Sequence, residues 1–252
     1  MSDEDWDYYN HRVLSVRSVT PAIKELWLAP TERAMRYRPG EYVLLEGSDG
    51  LVPPRSYSVA NAPRDDGRIS LLITRYPGGI TSTWVHDELS VGGDVVLTGP
   101  YGTFVLDEAR TGPVLLLGAG SGLAPLLAIA ETLESQQPGR KVTLAFSGRT
   151  AADQIDADRF EAWARSRENF QYLVTLTREP DAPCHELLPK LLQHRFDDLS
   201  GWEVFAAGPT GFVVDCAAEA IRLGADPTAV HTEEFFGDPV PWAPATATGR
   251  QE

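Results

Sequence analysis

Residues 55–63 have the sequence RSYSVANAP, an alternating, strand-like run that brings together a cation, an aromatic hydroxyl and serine hydroxyls. Because alternate side chains of a strand share a face, Arg55 and Tyr57 are predicted to point one way and Ser56 and Ser58 the other. A cation and a flat amphipathic ring on one face suit a ligand that carries both a phosphate and a planar ring system. Taken alone, the pattern fits surface residues of a barrel strand equally well.

The N-terminal half, from residue 13 to about residue 106, consists of short β-type runs separated by turn residues such as Arg38-Pro39-Gly40. This pattern predicts an antiparallel β-barrel. One helix is predicted at 82–89, directly after Gly78-Gly79, and residues 1–10 are predicted to be a poorly ordered arm. The predicted strands are 13–19, 23–28, 42–46, 55–60, 69–76 and 94–98.

From Pro113 onward, continuous apolar strands alternate with helices, which predicts a doubly wound parallel sheet. Ligands of such sheets bind at the carboxyl ends of the strands. The predicted strands are 114–117, 141–146, 172–177, 203–207 and 229–235, and the predicted helices are 123–133, 158–166, 186–193 and 211–223. The expected organisation is a barrel domain at 1–110, an α/β domain at 111–237 and a tail at 238–252.

The composition narrows the class of function. A net charge of −14 disfavours nucleic acid and anionic membranes as partners, no apolar run is long enough to span a bilayer, and the acidic N-terminus is unlike a signal peptide. We therefore expect a cytoplasmic protein. Two cysteines are too few for an iron–sulfur cluster, so any such centre is expected on another protein. The five histidines show no metal-binding spacing, and no metal site is predicted.

Arg55-Ser56-Tyr57-Ser58 resembles the flavin-binding R-x-Y-S/T signature of the ferredoxin–NADP reductase superfamily. Five further motifs resemble those of the family and follow in the same order, so the likeness spans about residues 10 to 236. They are GGITS at 78–82, GPYG at 99–102, GAGSGLAP at 118–125, AGP at 207–209 and HTEEFF at 231–236. Many relatives have cysteine where this chain has Ala207, which puts a thiol role in doubt but not hydride transfer.

The resemblance implies that FAD lies across the barrel with its ring system at the interface of the two domains. Tyr57, Ser58 and Glu233 are then the expected catalytic residues: the tyrosine packs on one ring face, the serine hydrogen-bonds near flavin N5, and the glutamate lies near the other face. The glycines before the barrel helix allow close approach, and its first-turn N–H groups favour a pyrophosphate. The expected flavin-binding residues are Arg55, Tyr57, Ser58, Val59, Ile73, Gly79, Thr81, Ser82, Phe235 and Phe236.

The glycines at 118, 120 and 122 stand between a strand and a helix, which is the context of a dinucleotide-binding loop. Arg149 and Arg178 follow neighbouring strands at the edge where a ribose 2′ group would lie, and arginine suits a 2′-phosphate. We therefore expect NADPH, with NADH left open, since both arginines also fit solvated surface charges. The expected nucleotide-binding residues are Gly120, Ser121, Gly122, Pro125, Ser147, Arg149, Arg178, Gly208 and Pro209.

The function implied by the resemblance is a flavoprotein reductase. It would take hydride from NAD(P)H onto FAD and pass single electrons to a separate ferredoxin or oxygenase component. Two alternatives stay open: a reductase of small acceptors such as free flavin or ferric chelates, and a non-catalytic electron-transfer or nucleotide-sensing subunit.

Overall fold

The computed structural model describes residues 8–107 and 109–235. The first six strands form one antiparallel sheet in the order β4-β3-β6-β1-β2-β5. An isolated bridge between Val59, just after β4, and Leu71 of β5 joins the two outer strands, so the sheet closes into the predicted barrel. The strands are β1 (Tyr8–Ser18), β2 (Ile23–Pro30), β3 (Tyr42–Gly47), β4 (Arg55–Ser58), β5 (Ile69–Thr74) and β6 (Asp94–Tyr101), with helix α1 (Ile80–Asp87) between β5 and β6.

The second half is the predicted parallel sheet, and its five strands lie in the order β11-β10-β7-β8-β9. Its strands are apolar because helices cover both faces. One hydrophobic cluster packs α2 and α3 against one face, and a second packs α4 and α5 against the other. The elements are β7 (Val114–Ala119), α2 (Leu123–Gln136), β8 (Val142–Gly148), α3 (Ala157–Ser166), β9 (Phe170–Leu176), α4 (Leu188–Arg195), β10 (Glu203–Gly208), α5 (Thr210–Arg222) and β11 (Val230–Glu234).

The start of the first strand is the clearest correction to the sequence analysis. Residues 8–10 were expected in a poorly ordered arm, but they open β1 and pair with Thr98, Leu97 and Val96 of β6. The Tyr9 side chain is buried in the barrel core, which explains why the strand begins early. Burial of an aromatic against a neighbouring strand outweighs the acidic character of the preceding segment.

The connection between β6 and β7 is bound to the second sheet. Phe104 stacks edge-on against Phe205 of β10 with ring centroids 5.2 Å apart, and it belongs to the same hydrophobic cluster as α2. The Asp107 N–H donates to Glu203 Oε1 at 2.9 Å. The two halves are therefore packed together along this connection. The domain limits at 110/111 and 237/238 stay predictions, and the second lies outside the described residues.

Candidate functional site

The two halves meet at a hydrogen bond between Ser58 and Glu233. The Ser58 hydroxyl, at the end of β4, donates to Glu233 Oε1 on β11 at 2.8 Å, across 175 positions of sequence. Ser58 is buried, with 4% of its surface exposed, whereas Ser56 on the same strand is exposed. The fold thus brings together two of the three residues predicted to be catalytic.

Glu233 is a carboxylate with few partners. Burial raises its pKa to about 7, against a smaller lowering by the Ser58 hydrogen bond. Within the described part of the chain its second oxygen, Oε2, is buried and has no hydrogen-bond partner. A cavity of about 400 Å³ adjoins it. The residues that line this cavity are Gly40, Tyr42, Gly102, Thr103, Phe104, His231, Thr232 and Glu233.

Arg55 and Tyr57 lie opposite buried residues of β3. The register pairs Arg55 with Leu45 and Tyr57 with Val43, so these side chains share a face of the sheet. Tyr57 packs against the barrel core, and burial raises its pKa to about 12 although the Arg55 charge opposes this. Arg55 Nη1 donates to the Pro54 carbonyl at 2.7 Å. Tyr57 therefore stays a neutral phenol, able to pack on a ring and to donate one hydrogen bond.

Val59 and Ile73 do not present their side chains to a ligand. Both are fully buried in the barrel core, because each points inward from its strand. The Val59 N–H donates to the Glu41 carbonyl at 3.0 Å. A cofactor could therefore contact Val59 or Ile73 only through the backbone.

The N-terminus of α1 offers backbone groups rather than hydroxyls. The Thr81 hydroxyl donates to the Pro53 carbonyl at 2.6 Å, and Ser82 Oγ accepts the Tyr76 N–H at 3.1 Å. Gly79 precedes the helix, and no side chain caps it. The hydroxyls therefore hold the surrounding loops in place, and the uncapped first-turn N–H groups are what this end of the helix offers to an anion.

The glycine loop is held against both halves of the molecule. Gly120 has a φ of +56°, and a Cβ on Gly122 would lie 2.2 Å from the Ala207 carbonyl oxygen, so both positions require glycine. The Thr74 hydroxyl of the barrel donates to Ser121 Oγ at 2.7 Å. Pro125 is buried in the first turn of α2. The predicted nucleotide loop is thus formed and faces the barrel.

The end of β10 contacts the residue that follows β11. The Phe235 N–H donates to the Gly208 carbonyl at 2.9 Å, and Gly208 has a φ of +147°. Pro209 immediately precedes α5 and is exposed. Phe235 is half-buried beside this turn. Phe236, the other aromatic expected near the flavin, lies outside the described residues.

The edge formed by the ends of β8 and β9 carries Ser147, Arg149 and Arg178. Ser147 Oγ accepts the Thr175 hydroxyl at 3.1 Å. Arg149 Nη2 pairs with Asp153 Oδ1 at 3.1 Å, and the Arg178 N–H donates to the Arg149 carbonyl at 2.8 Å. The backbones of the two arginines therefore meet at the ends of adjacent strands, and the Arg149 side chain is paired with a carboxylate.

A buried polar cluster on β10 and β11 was not predicted from the sequence. Arg140 Nη2 pairs with Glu203 Oε2 at 2.8 Å, with 4% and 1% of the two side chains exposed. His231 Nε2 lies 3.3 Å from Glu203 Oε1, and its ring stacks on Phe205 with centroids 4.5 Å apart. His231 also lines the cavity that adjoins Glu233, together with Thr232 between them.

Two classes of site find no support in residues 8–107 and 109–235. None of the helices there has the length and apolar character needed to traverse a bilayer. No group of histidine, cysteine and carboxylate side chains in these residues has the arrangement of a metal site.

Family models match most of the chain. An oxidoreductase FAD-binding domain matches residues 13–106, and an oxidoreductase NAD-binding domain matches residues 116–218. The chain belongs to the ferredoxin–NAD(P) reductase superfamily. It is an oxidoreductase of that type, with an FAD-binding and an NAD-binding half.

Its relatives include reductase components of oxygenase systems. The chain is 33% identical to the reductase subunit of an aromatic O-demethylase from Amycolatopsis, over 88% of this chain and 68% of that protein. It is 31% identical to the ferredoxin–NAD(P)(+) reductase component of a naphthalene 1,2-dioxygenase/salicylate 5-hydroxylase system from Ralstonia, over 81% of this chain and 62% of that protein. The chain thus spans about two thirds of the length of these relatives.

A solved structure agrees with this assignment. The crystal structure of a cytochrome P450 reductase from Amycolatopsis superposes with a TM-score of 0.83 at 31% identity, over 93% of this chain and 73% of that one. Both halves and their arrangement are therefore those of a known reductase fold.

Proposed function

We propose that this protein takes hydride from NAD(P)H onto FAD and passes single electrons to a separate redox protein, either a ferredoxin or an oxygenase component. The observation that carries the proposal is the Ser58–Glu233 hydrogen bond. This bond joins the end of β4, the strand with the flavin-binding signature, to β11, the last strand of the parallel sheet. Hydride transfer needs two cofactors brought face to face, and this contact marks where the two halves meet.

The residues at this junction fit FAD. The uncapped N-terminus of α1 and the nearby Arg55 suit a pyrophosphate, and Tyr57 suits a flat ring. Glu233 Oε2 is a buried polar atom that lacks a partner among the residues the structure describes, as expected where a bound group supplies one. When bound, FAD can accept a hydride and can release electrons one at a time.

The protein's own contribution is placement and the holding of a proton. The Ser58 hydroxyl donates to Glu233 Oε1, which fixes the carboxyl group. Since the pKa of Glu233 is raised to about 7, its Oε2 can hold or release a proton near neutral pH. Ser121, bonded to Thr74, keeps the nucleotide loop against the barrel, so that a nucleotide on this loop approaches from the second domain.

Anaerobic stopped-flow absorbance tests the proposal. The flavin band of the purified protein is followed after mixing with NADPH and, separately, with NADH. Rapid bleaching by either nucleotide is expected. If dithionite bleaches the flavin but neither nucleotide does, hydride transfer is refuted and the non-catalytic electron-transfer subunit is favoured.

A glycine pair supplies the matched control. Gly122→Ala puts a Cβ against the Ala207 carbonyl, and we expect it to abolish bleaching by nucleotide while dithionite still reduces the flavin. Gly139→Ala has no atom within 4 Å of the new Cβ and should bleach like the unmodified protein. Equal behaviour of the two variants would remove the glycine loop from the reaction.

The acceptor is tested by adding a ferredoxin. A large gain in cytochrome c reduction supports a protein acceptor, whereas fast reduction of free flavin or ferric chelates without that gain points to small acceptors. We propose a protein acceptor because relatives of this chain are reductase components of oxygenase systems. The proposed location is the cytoplasm, where NAD(P)H is available, and cell fractionation checks it.

A further inference from the structure

Helix α2 packs against the barrel through an apolar surface. Ile23, Ala60 and Leu72 of the barrel belong to the same hydrophobic cluster as the buried side chains of α2. Apolar contact is non-directional, so it holds two surfaces together without fixing the angle between them. Hydrogen bonds depend on direction and can fix that angle. The polar contacts between α2 and the barrel therefore decide how the helix is oriented.

Two such contacts lie at separate points along α2. In the loop that precedes the helix, Ser121 Oγ accepts the Thr74 hydroxyl at 2.7 Å. Glu131 Oε2 accepts the Ala62 N–H of the barrel at 2.7 Å. Glu131 lies about 12 Å along the helix from Leu123, where α2 begins. Because the two bonds are this far apart, together they oppose rotation of α2 about either one.

The Glu131 carboxylate is itself held in place. Its Oε1 pairs with Arg159 of α3, and Arg159 Nη1 also lies 3.5 Å from Asp156 Oδ2. The Glu131 side chain is 22% exposed. Since the ion pair already orders the carboxylate, its second oxygen is preorganised to accept the Ala62 N–H.

The acceptor on α2 reaches a fixed part of the barrel. The Asn61 side chain, which is 2% exposed, donates to the Ala62 carbonyl at 2.7 Å and accepts the Ser70 N–H at 2.6 Å. Ser58, four positions before Ala62, donates to Glu233. Carboxylates of the second half of the molecule thus bind both ends of the segment that begins at the end of β4.

We propose that Glu131 is a positioning residue for hydride transfer, because its bond to Ala62 sets the angle at which α2 and the glycine loop meet the barrel. The inference rests on the proposed function for the identity of the reaction. Helix α2 begins directly after the glycine loop, so a tilt of the helix would also tilt a nucleotide bound at that loop relative to β4. Hydride transfer is sensitive to such a tilt, since a misplacement of about 1 Å costs about a hundredfold in rate.

Stopped-flow bleaching of the flavin separates positioning from binding. Glu131→Ala removes the acceptor of the Ala62 N–H, and we expect the limiting rate of bleaching by nucleotide to fall by at least about tenfold. The dissociation constant of the nucleotide, taken from the concentration dependence of the rate, should change by less than about twofold. Arg159→Gln keeps an N–H donor for Glu131 and leaves the bond to Ala62 in place, so its limiting rate should stay within about threefold.

Glu134 supplies the matched control on the same helix. It pairs with Arg167, just after α3, at 2.8 Å, and in the part of the chain that the structure describes it has no hydrogen bond to the barrel. Glu134→Ala should therefore change the rate and the dissociation constant by less than about twofold. Equal slowing in Glu131→Ala and in either Glu134→Ala or Arg159→Gln would overturn the role of the Ala62 contact. Weaker nucleotide binding at an unchanged limiting rate would overturn it as well and assign Glu131 to binding.

Hydrogen exchange of the FAD-loaded protein without nucleotide tests the contact independently of the reaction. The Ala62 amide should exchange at least about tenfold faster in Glu131→Ala than in the unmodified protein or in Glu134→Ala. Unchanged exchange would overturn the inference whatever the rates are. A failure of the proposed function is recognised separately, because the unmodified protein would then not be bleached by either nucleotide, and positioning for hydride transfer would be overturned with it.

Discussion

Glu203, which is buried, and Glu233, which is half-buried, lie on neighbouring strands of the same sheet, yet their surroundings shift the pKa values of the two carboxyl groups in opposite directions. Burial alone would raise the pKa of Glu203, but the His231 ring nitrogen 3.3 Å away and hydrogen bonds from the Asp107 N–H and Arg140 outweigh it, so the pKa is lowered. For Glu233, burial dominates over its single bond from Ser58 and raises the pKa to about 7. The two pKa values shift in opposite directions because more donors surround the Glu203 carboxylate than the Glu233 carboxylate, and not because of the depth of burial alone.

This contrast separates a structural carboxylate from the one that we propose holds a proton in the reaction. Glu203 joins the connection between the two halves to Arg140 and has 1% of its side chain exposed. Glu233 adjoins a cavity and has an oxygen without a partner among the described residues. Buried groups with unsatisfied atoms and shifted pKa values occur preferentially at functional sites. We therefore propose that the functional site lies on the side of Glu233 and not of Glu203.

The largest expected effect comes from removing the charge of the structural carboxylate. Glu203→Gln leaves the Arg140 guanidinium buried without its counter-charge, and we expect the free energy of unfolding to fall by about 4 kcal/mol. Denaturant unfolding measures this. Asp94→Asn, which breaks an exposed pair with Arg12, is the matched control and should cost far less. Similar losses in the two variants would contradict the structural role of Glu203.

Glu233→Gln should raise the free energy of unfolding, by an amount that depends on pH. The folded protein binds a proton on Glu233 more tightly than the unfolded chain does, so its contribution to stability is full below the ordinary carboxyl pKa and is lost as the pH rises through about 7. We therefore expect the glutamine variant to be more stable than the unmodified protein by about 2 to 3 kcal/mol at pH 8 and nearly equal at pH 4. Unfolding at both pH values checks this, and destabilisation at pH 8 would contradict the raised pKa.

Ser58→Ala tests whether Glu233 takes part in flavin reduction. The Ser58 hydrogen bond lowers the pKa of Glu233, so its loss should move that pKa above about 7 and shift the pH profile of flavin bleaching to higher pH. The stability cost should be about 1 kcal/mol. Ser56→Ala, at an exposed position on the same strand, should leave the profile in place. A profile that does not move in Ser58→Ala would show that Glu233 does not control the rate.

The fold could be predicted because its signals are local. Short β runs with turn residues gave the barrel, and continuous apolar strands before helices gave the parallel sheet. The early start of β1 could not be seen, because it depends on pairing with β6 far along the chain. Ser58 and Glu233 were singled out only through the family resemblance, since no sequence pattern connects positions 175 residues apart.

Contacts between polar side chains were equally hard to predict from the sequence. Arg140 and Glu203 are separated by 63 positions, and only the packed sheet brings them together. Asp153 was given no role from the sequence, because only the folded turn shows that it pairs with Arg149 and accepts two N–H groups. Which donors a carboxylate receives decides its pKa, and that is a property of the folded structure.

The smallest expected effect concerns the histidine that lies between the two glutamates. His231→Phe keeps a ring to stack on Phe205 and removes the nitrogen that lies 3.3 Å from Glu203. Because Arg140 and the Asp107 N–H still bind Glu203, we expect a loss of about 0.5 kcal/mol in the free energy of unfolding. The pH profile of flavin bleaching should not change, since Glu233 receives its hydrogen bond from Ser58 and not from His231. A loss as large as that of Glu203→Gln would mean that His231 is the main partner of the structural carboxylate, and a shifted pH profile would mean that the two glutamates titrate together.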